Sequence, residues 1–151
     1  MDKMKNALWC VVCAAVMAVL PASCAKAPID RDIEGFWRLD SYVTVGDGRV
    51  HHCERIFYGI TRYVVEVGER QGPGGYGTFI GRFEYVDGSS VVAMRDFRQR
   101  ASTSDNGVPA TADDLRPFGM DSTSTVFRVV DADGSRLVLQ SDYARLELTR
   151  F

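Results

Sequence analysis

Gly35-Phe36-Trp37-Arg38-Leu39-Asp40-Ser41-Tyr42 carries the alternation from which the fold follows. Trp37 and Leu39 alternate with Arg38 and Asp40, and Val43 and Val45 continue the apolar row. Successive side chains of a strand point to opposite sides, so this pattern marks a strand with one buried and one wet face. The spacing predicts a strand over Phe36–Val45, with Trp37, Leu39, Ser41, Val43 and Val45 on one face and Arg38 and Asp40 on the other. The turn Gly46-Asp47-Gly48 closes it.

The same signature repeats toward the C-terminus. Runs of Val, Ile, Phe, Tyr and Thr between Gly, Asp, Asn and Ser clusters predict strands over Val50–Tyr58, Ile60–Val67, Gly77–Val86, Ser89–Phe97, Thr123–Val130, Ser135–Gln140 and Ala144–Arg150. Tyr63, Val65 and Val67 oppose Arg62 and Glu66; Phe79, Gly81, Phe83 and Tyr85 oppose Arg82 and Glu84; Thr125, Phe127 and Val129 oppose Arg128; Leu146 and Leu148 oppose Arg145 and Glu147. Short turns join most neighbours, which calls for an antiparallel meander. Eight half-buried strands that close on themselves remove their exposed edges. The expectation is therefore an all-β, eight-stranded antiparallel up-and-down barrel. One connection is long: Arg98–Ser122 spans 25 residues, more than a structureless loop usually has. Within it Thr111-Ala112-Asp113-Asp114 has a capping residue and two acids in a first turn, and Pro117 and Gly119 stop the helix early. A short helix near Thr111–Phe118 would carry Leu115 and Phe118 on one side, as a plug or lid for one end of the barrel.

Upstream, Lys3 and Lys5 precede Ala7–Leu20, a charge-free run of 14 residues. A permanent span needs about 20 apolar residues; a positive start, a short apolar centre and a small-residue end make an export signal. Residues 1–23 read as that signal, 24–33 as a lipidated Cys with a polar tether, and 34–151 as the barrel domain. Leu20-Pro21-Ala22-Ser23-Cys24 resembles the lipobox of bacterial lipoproteins, which implies that Cys24 bears acyl chains such as palmitate and becomes the new N-terminus. A second cleavage pattern, Ala25-Lys26-Ala27, suits ordinary secretion. Cys10 and Cys13 fall inside the signal, so the domain has no disulfide framework and Cys53 has no intramolecular partner.

Composition narrows the function classes. The chain is 46% hydrophobic and 25% charged with a net charge of −2, which suits a globular domain and not a nucleic-acid binder. His51-His52-Cys53-Glu54 is the sole cluster of metal-type residues. His51 and Cys53 fall on one side of a strand and His52 and Glu54 on the other, and apart from the lipidated Cys24 no other Cys or His follows the signal, so no metal site is expected. Gly72–Gly77 lacks the Gly-Lys-Ser/Thr ending of a phosphate loop and reads as a hairpin tip. No nucleophile elbow or separated carboxylate pair is evident, so neither an enzyme nor a cofactor is expected.

Gly35-x-Trp37 at the head of the first strand, with Arg150 at the end of the last, is similar to the opening and closing of lipocalin-like domains of bacterial envelope lipoproteins. The resemblance covers Ile33–Phe151. It implies that Gly35 and Trp37 close the bottom of the barrel, that Arg150 packs across the Trp37 ring, and that the protein is lipid-anchored in the bacterial cell envelope. The aromatic set Trp37, Tyr63, Phe79, Phe83, Tyr85 and Phe127, with Leu115 and Phe118 from the plug, either lines a pocket for a small hydrophobic or amphipathic ligand or fills a tight barrel. The first case makes a ligand-binding lipoprotein; the second makes an interaction module for an envelope protein partner.

Overall fold

The computed structural model describes residues 27–151; residues 1–23, read above as an export signal, and Cys24 lie outside them. Nine strands run β1 (Gly35–Thr44), β2 (Val50–Ile60), β3 (Val64–Glu69), β4 (Thr78–Asp87), β5 (Val91–Arg100), β6 (Asp105–Pro109), β7 (Ser124–Ala132), β8 (Arg136–Gln140) and β9 (Ala144–Arg150). Every pairing is antiparallel. Chain order is also spatial order from β1 through β5 and on through β7, β8 and β9, which returns to β1. Eight strands thus close the barrel.

The ninth strand, β6, comes from the long connection and was not expected. β5 divides its partners: Val91–Arg95 pair with β7, and Arg98 and Arg100 pair with β6. β6 leans on the outside of the ring, with all five residues exposed. Its pattern, Asp-Asn-Gly-Val-Pro, has no apolar alternation to mark it as a strand. The third strand also starts later than predicted. Ile60 completes β2, and Thr61–Tyr63 make the turn, with the Thr61 N–H donating to the Val64 carbonyl (2.9 Å).

Bulges alter the inward sets of three strands. In β1, Asp40 is an extra residue against β9, between Leu39↔Leu148 and Ser41↔Glu147. A bulge of this kind reverses the side-chain phase. Trp37 and Leu39 point inward before it, and Tyr42 and Thr44 after it. Ser41, Val43 and Val45 therefore do not continue the buried row as expected, and Val45 is exposed. In β2 the matching irregularity is Cys53–Arg55, with Arg55 at φ 57°, so Cys53 and Ile56 both turn inward. In β5, Asp96 at φ 56° lets Met94 and Phe97 share the interior. Gly81 on β4 accommodates this: a Cβ there would sit 2.8 Å from the Phe97 ring and 2.9 Å from the Arg95 carbonyl oxygen.

The core fills the barrel from end to end. Trp37, Tyr58, Phe83, Phe97, Phe118 and Phe127 are its largest fully buried side chains. Burial of this kind, at roughly 25 cal/mol per Å² of apolar surface, stabilises a domain that holds no disulfide among the described residues.

Candidate functional site

The two ends of the barrel are built differently. At the closed end the chain enters through a turn in which the Ile33 and Glu34 N–H groups donate to the Asp30 carbonyl. Ile33 is fully buried, so the barrel's closure begins inside the stretch read as tether. Trp37 Nε1 donates to the Ile33 carbonyl (2.8 Å). The Arg150 guanidinium lies 4.3 Å from the centre of the Trp37 ring and donates to the carbonyls of Gly134, Glu34 and Arg31. The pairing of Arg150 with Trp37 is thus as expected. Gly35 has φ 151°, and the guanidinium occupies the place where a Cβ would stand. The position favours glycine, because a side chain rarely adopts φ 151° and a Cβ would push the guanidinium off the carbonyls that hold it. Glu34 knits the turn to the wall: its carboxylate accepts from the Ile29 N–H and from the Tyr85 hydroxyl. Burial, then the hydrogen bond to the Glu34 carboxylate, raises the Tyr85 pKa.

At the opposite end, the mouth, the plug forms as the sequence predicts. α1 (Ala112–Leu115) starts with a reciprocal capping box, in which the Asp114 N–H donates to Thr111 Oγ1 (3.2 Å) and the Thr111 N–H to Asp114 Oδ2 (2.8 Å). A 3₁₀ turn over Arg116–Phe118 follows and ends at Gly119, φ 81°. Leu115, Phe118 and Met120 are fully buried; the buried Tyr58 hydroxyl donates to the Phe118 carbonyl, and the Phe118 ring meets Phe79 edge to face.

The predicted ligand residues divide accordingly. Trp37, Phe79, Phe83, Phe127, Leu115 and Phe118 pack together as core. Tyr85 is half-buried against it and tied to Glu34. Tyr63, expected inside with Val65 and Val67, lies outside: it belongs to the β2–β3 turn, is 59% exposed, and borders a groove of about 720 Å³ on the outer wall beside β6. Two further clefts open on the rim of the mouth. One, of about 520 Å³, is bounded by Tyr42, His51, Cys53, Tyr76, the Gly-rich loop and Pro117 of the plug. The other, of about 550 Å³, lies between the β1–β2 and β8–β9 turns. His51 borders both. None of these three clefts is lined by the six core residues above.

The rim cleft has defined chemistry. Tyr42 and His51 stack face to face, centroids 4.5 Å apart and planes 9° from parallel. Burial pushes the Tyr42 phenol up to about 12 and the Cys53 thiol up to about 11. A thiol so protonated is a poor nucleophile at neutral pH; its Sγ–H faces the His51 carbonyl. The Glu69 carboxylate accepts from the Gly74 N–H (2.6 Å) and the Tyr76 N–H (2.9 Å), which holds the Gly-rich loop over the cleft and lowers the Glu69 pKa. The loop that sequence reading took for a bare hairpin tip is thus one wall of a cavity. His51 and Cys53 face the barrel side and His52 and Glu54 the outside, as expected for adjacent strand residues. Among the described residues no group of three or more His, Cys, Asp or Glu converges as a metal site would require.

Eight antiparallel strands closed on themselves, with one short α-helix among the described residues and a fastened closed end, define the fold class, and the comparisons agree on it. The chain matches the lipocalin-like domain family over residues 16–151, and it belongs to that family. A lipocalin-like protein from Bacteroides uniformis is similar in structure, with a TM-score of 0.58 and 19% identity over 80% of this chain and 99% of that one. An uncharacterized protein from Bacteroides eggerthii is similar too, with a TM-score of 0.57 and 19% identity over 78% and 98% of the two chains. No curated protein matches the chain.

Proposed function

We propose that this lipocalin-like protein is a lipid-anchored envelope protein that binds a small amphipathic molecule at the mouth of its barrel, not inside it, and that it acts by binding and not by catalysis. The carrying observation is the rim cleft of about 520 Å³, which joins an aromatic wall to polar groups above a filled interior. That volume is in the range of small-molecule sites. The anchor suits such a role. Arg62, in a closed-end turn, donates to the Ala27 carbonyl, so the chain enters at the closed end. Cys24 is three residues before Ala27, a reach of about 10 Å at 3.3–3.6 Å per residue. Acyl chains on Cys24 would set the closed end against the membrane and turn the mouth toward the aqueous phase.

The chain has two histidines, so ¹³C-histidine labelling yields two ring signals, assigned with His52→Gln. Neutral and charged ring amphiphiles at millimolar concentration are expected to move the His51 signal. A His51 signal that none of them moves would remove the mouth from consideration and favour the second reading, a protein partner docking on the wall groove, where Tyr63 and Val64 are exposed. The anchor is tested separately: Cys24→Ser should abolish fatty-acid labelling and release the protein from membranes.

A further inference from the structure

The exposed aromatic rings are unevenly spread over the barrel. Phe36, Tyr63 and Phe151 are all exposed, Phe151 to 76%, and among the described residues only Tyr76 joins them in that class. Tyr76 borders the cleft at the mouth. The other three stand at or beside the closed end: Phe36 is the second residue of β1, Tyr63 lies in the β2–β3 turn, and the Phe151 N–H donates to the Phe36 carbonyl (3.0 Å). Ile29 and Val86 are exposed at the same end. Single exposed apolar residues are ordinary, whereas adjoining ones mark a surface that meets something.

These rings adjoin one another and carry guanidinium groups. Phe151 meets the Phe57 ring edge to face, centroids 5.1 Å apart. The Arg70 guanidinium lies over Phe36 at 4.9 Å and over Phe57 at 5.8 Å. In the turn below, Arg62 lies 5.6 Å from the centre of the Tyr63 ring and donates to its hydroxyl. Apolar bodies with cationic tips laid along them suit the boundary between water and lipid, where rings settle at headgroup level and guanidinium groups reach the phosphates. The end is not a basic patch: Asp30, Asp32, Asp87 and Asp133 stand there with Arg31 and Arg62. Burial of rings, and not net charge, has to make the contact.

Where the chain leaves the barrel tells what covers this surface. Arg62 also donates to the Ala27 carbonyl (3.3 Å), so the segment that leads to Cys24 departs beside Tyr63. Its three residues reach about 10 Å when extended. A bilayer of about 40–45 Å with a hydrocarbon core of about 30 Å has headgroup layers of about 5–8 Å each. A tether that crosses one such layer to put acyl chains into the core has almost no length left, and the closed end is drawn against the headgroups.

We infer that the closed end is a bilayer-contact surface. Phe36, Tyr63 and Phe151 enter the headgroup region with Arg62 and Arg70 among the lipid phosphates, and the barrel stands with its mouth held away from the membrane instead of swinging on a free tether. The inference rests on the anchor at Cys24 and adds the protein's own surface to it.

The test uses the full protein as matured in membranes, mixed with vesicles of phosphatidylcholine that carries bromine near the headgroup end of its acyl chains, a contact quencher of tryptophan. Phe151→Trp, Tyr63→Trp and Tyr76→Trp each place a reporter where an exposed ring already stands, and the emission of the unsubstituted protein is subtracted. Phe151→Trp and Tyr63→Trp should shift to the blue and lose about half their emission, as rings at interfacial depth do, and Tyr76→Trp should not change. Co-sedimentation with the vesicles reads the anchor separately. Protein that sediments without quenching at either closed-end position overturns the contact surface and leaves the anchor standing. Equal quenching at all three positions overturns the fixed orientation and with it the surface. Protein that stays in the supernatant overturns the anchor and the surface together. A blue shift of Phe151→Trp that follows protein concentration in the absence of vesicles places a second copy of the chain on the patch and overturns the bilayer as its occupant.

Discussion

The closed end and the mouth of this barrel are made from the same strands and reach opposite states. At the closed end the polar groups around Trp37 have fixed partners: Arg150 reaches three carbonyls and the Trp37 face, Trp37 Nε1 meets the Ile33 carbonyl, and Glu34 accepts from Ile29, Asp30 and Tyr85. At the mouth the core is also sealed, by Leu115, Phe118 and Met120, but the layer above the seal keeps open volume bordered by Glu54, Asp121 and Asp142, none of which has an ion-pair partner among the described residues. The difference shows that a barrel can be packed throughout and still present a site, because the plug displaces the cavity from the interior to the rim. Fastening and recognition are then separable, and substitutions at the two ends should be too.

The largest effect is expected at the fastening. Trp37→Ala should cost about 3–5 kcal/mol, seen in urea unfolding followed by far-ultraviolet circular dichroism. A loss below about 1 kcal/mol would mean that the closed end does not hold the barrel. Leu115→Ala removes a fully buried plug residue and should cost about 2–4 kcal/mol. It should also shift the His51 ring signal, whereas Trp37→Ala analogues at the closed end, such as Trp37→Phe, should leave that signal in place; equal responses would erase the distinction between the ends. Arg150→Ala should cost about 2 kcal/mol, from the lost ring contact and the carbonyls left without their charged donor. Arg150→Lys should recover little of it, since an ammonium lacks the planar fork that reaches several carbonyls at once.

The smallest effect concerns pH at the rim. Backbone N–H groups of Tyr76 and Gly74 hold the Glu69 carboxyl below its usual range. A carboxylate whose folded value is lowered contributes fully above its unfolded value, and the contribution disappears as pH falls through the folded one. The Gly-rich loop should therefore keep its shape through neutral and mildly acid solution and loosen only below the ordinary carboxylate range. The Gly74 and Tyr76 amide signals should report that step, and Glu69→Gln should abolish it. Persistence of the step in the variant would assign it to another group.

The features legible from residue order are local or terminal in origin. Alternation marked Phe79, Phe83, Phe127, Leu146 and Leu148 as inward, because an unbroken strand keeps period two. The Thr111–Asp114 capping box and the stop at Gly119 lie within one short segment. Gly35, Trp37 and Arg150 were legible because their types and positions near the two ends of the domain match a family pattern. The tertiary structure alone decided the rest. Asp40, Arg55 and Asp96 carry no side-chain signal for a bulge; each is imposed by register with a neighbouring strand, and each shifts which residues face inward beyond it. That is why Tyr42 is a wall of the cleft and Val45 is not, and why the run of aromatic residues fills the barrel instead of lining a calyx. Strand pattern is written in neighbours along the chain, whereas free volume is the balance of side chains brought together from eight strands and a plug, and only their packing fixes where space remains.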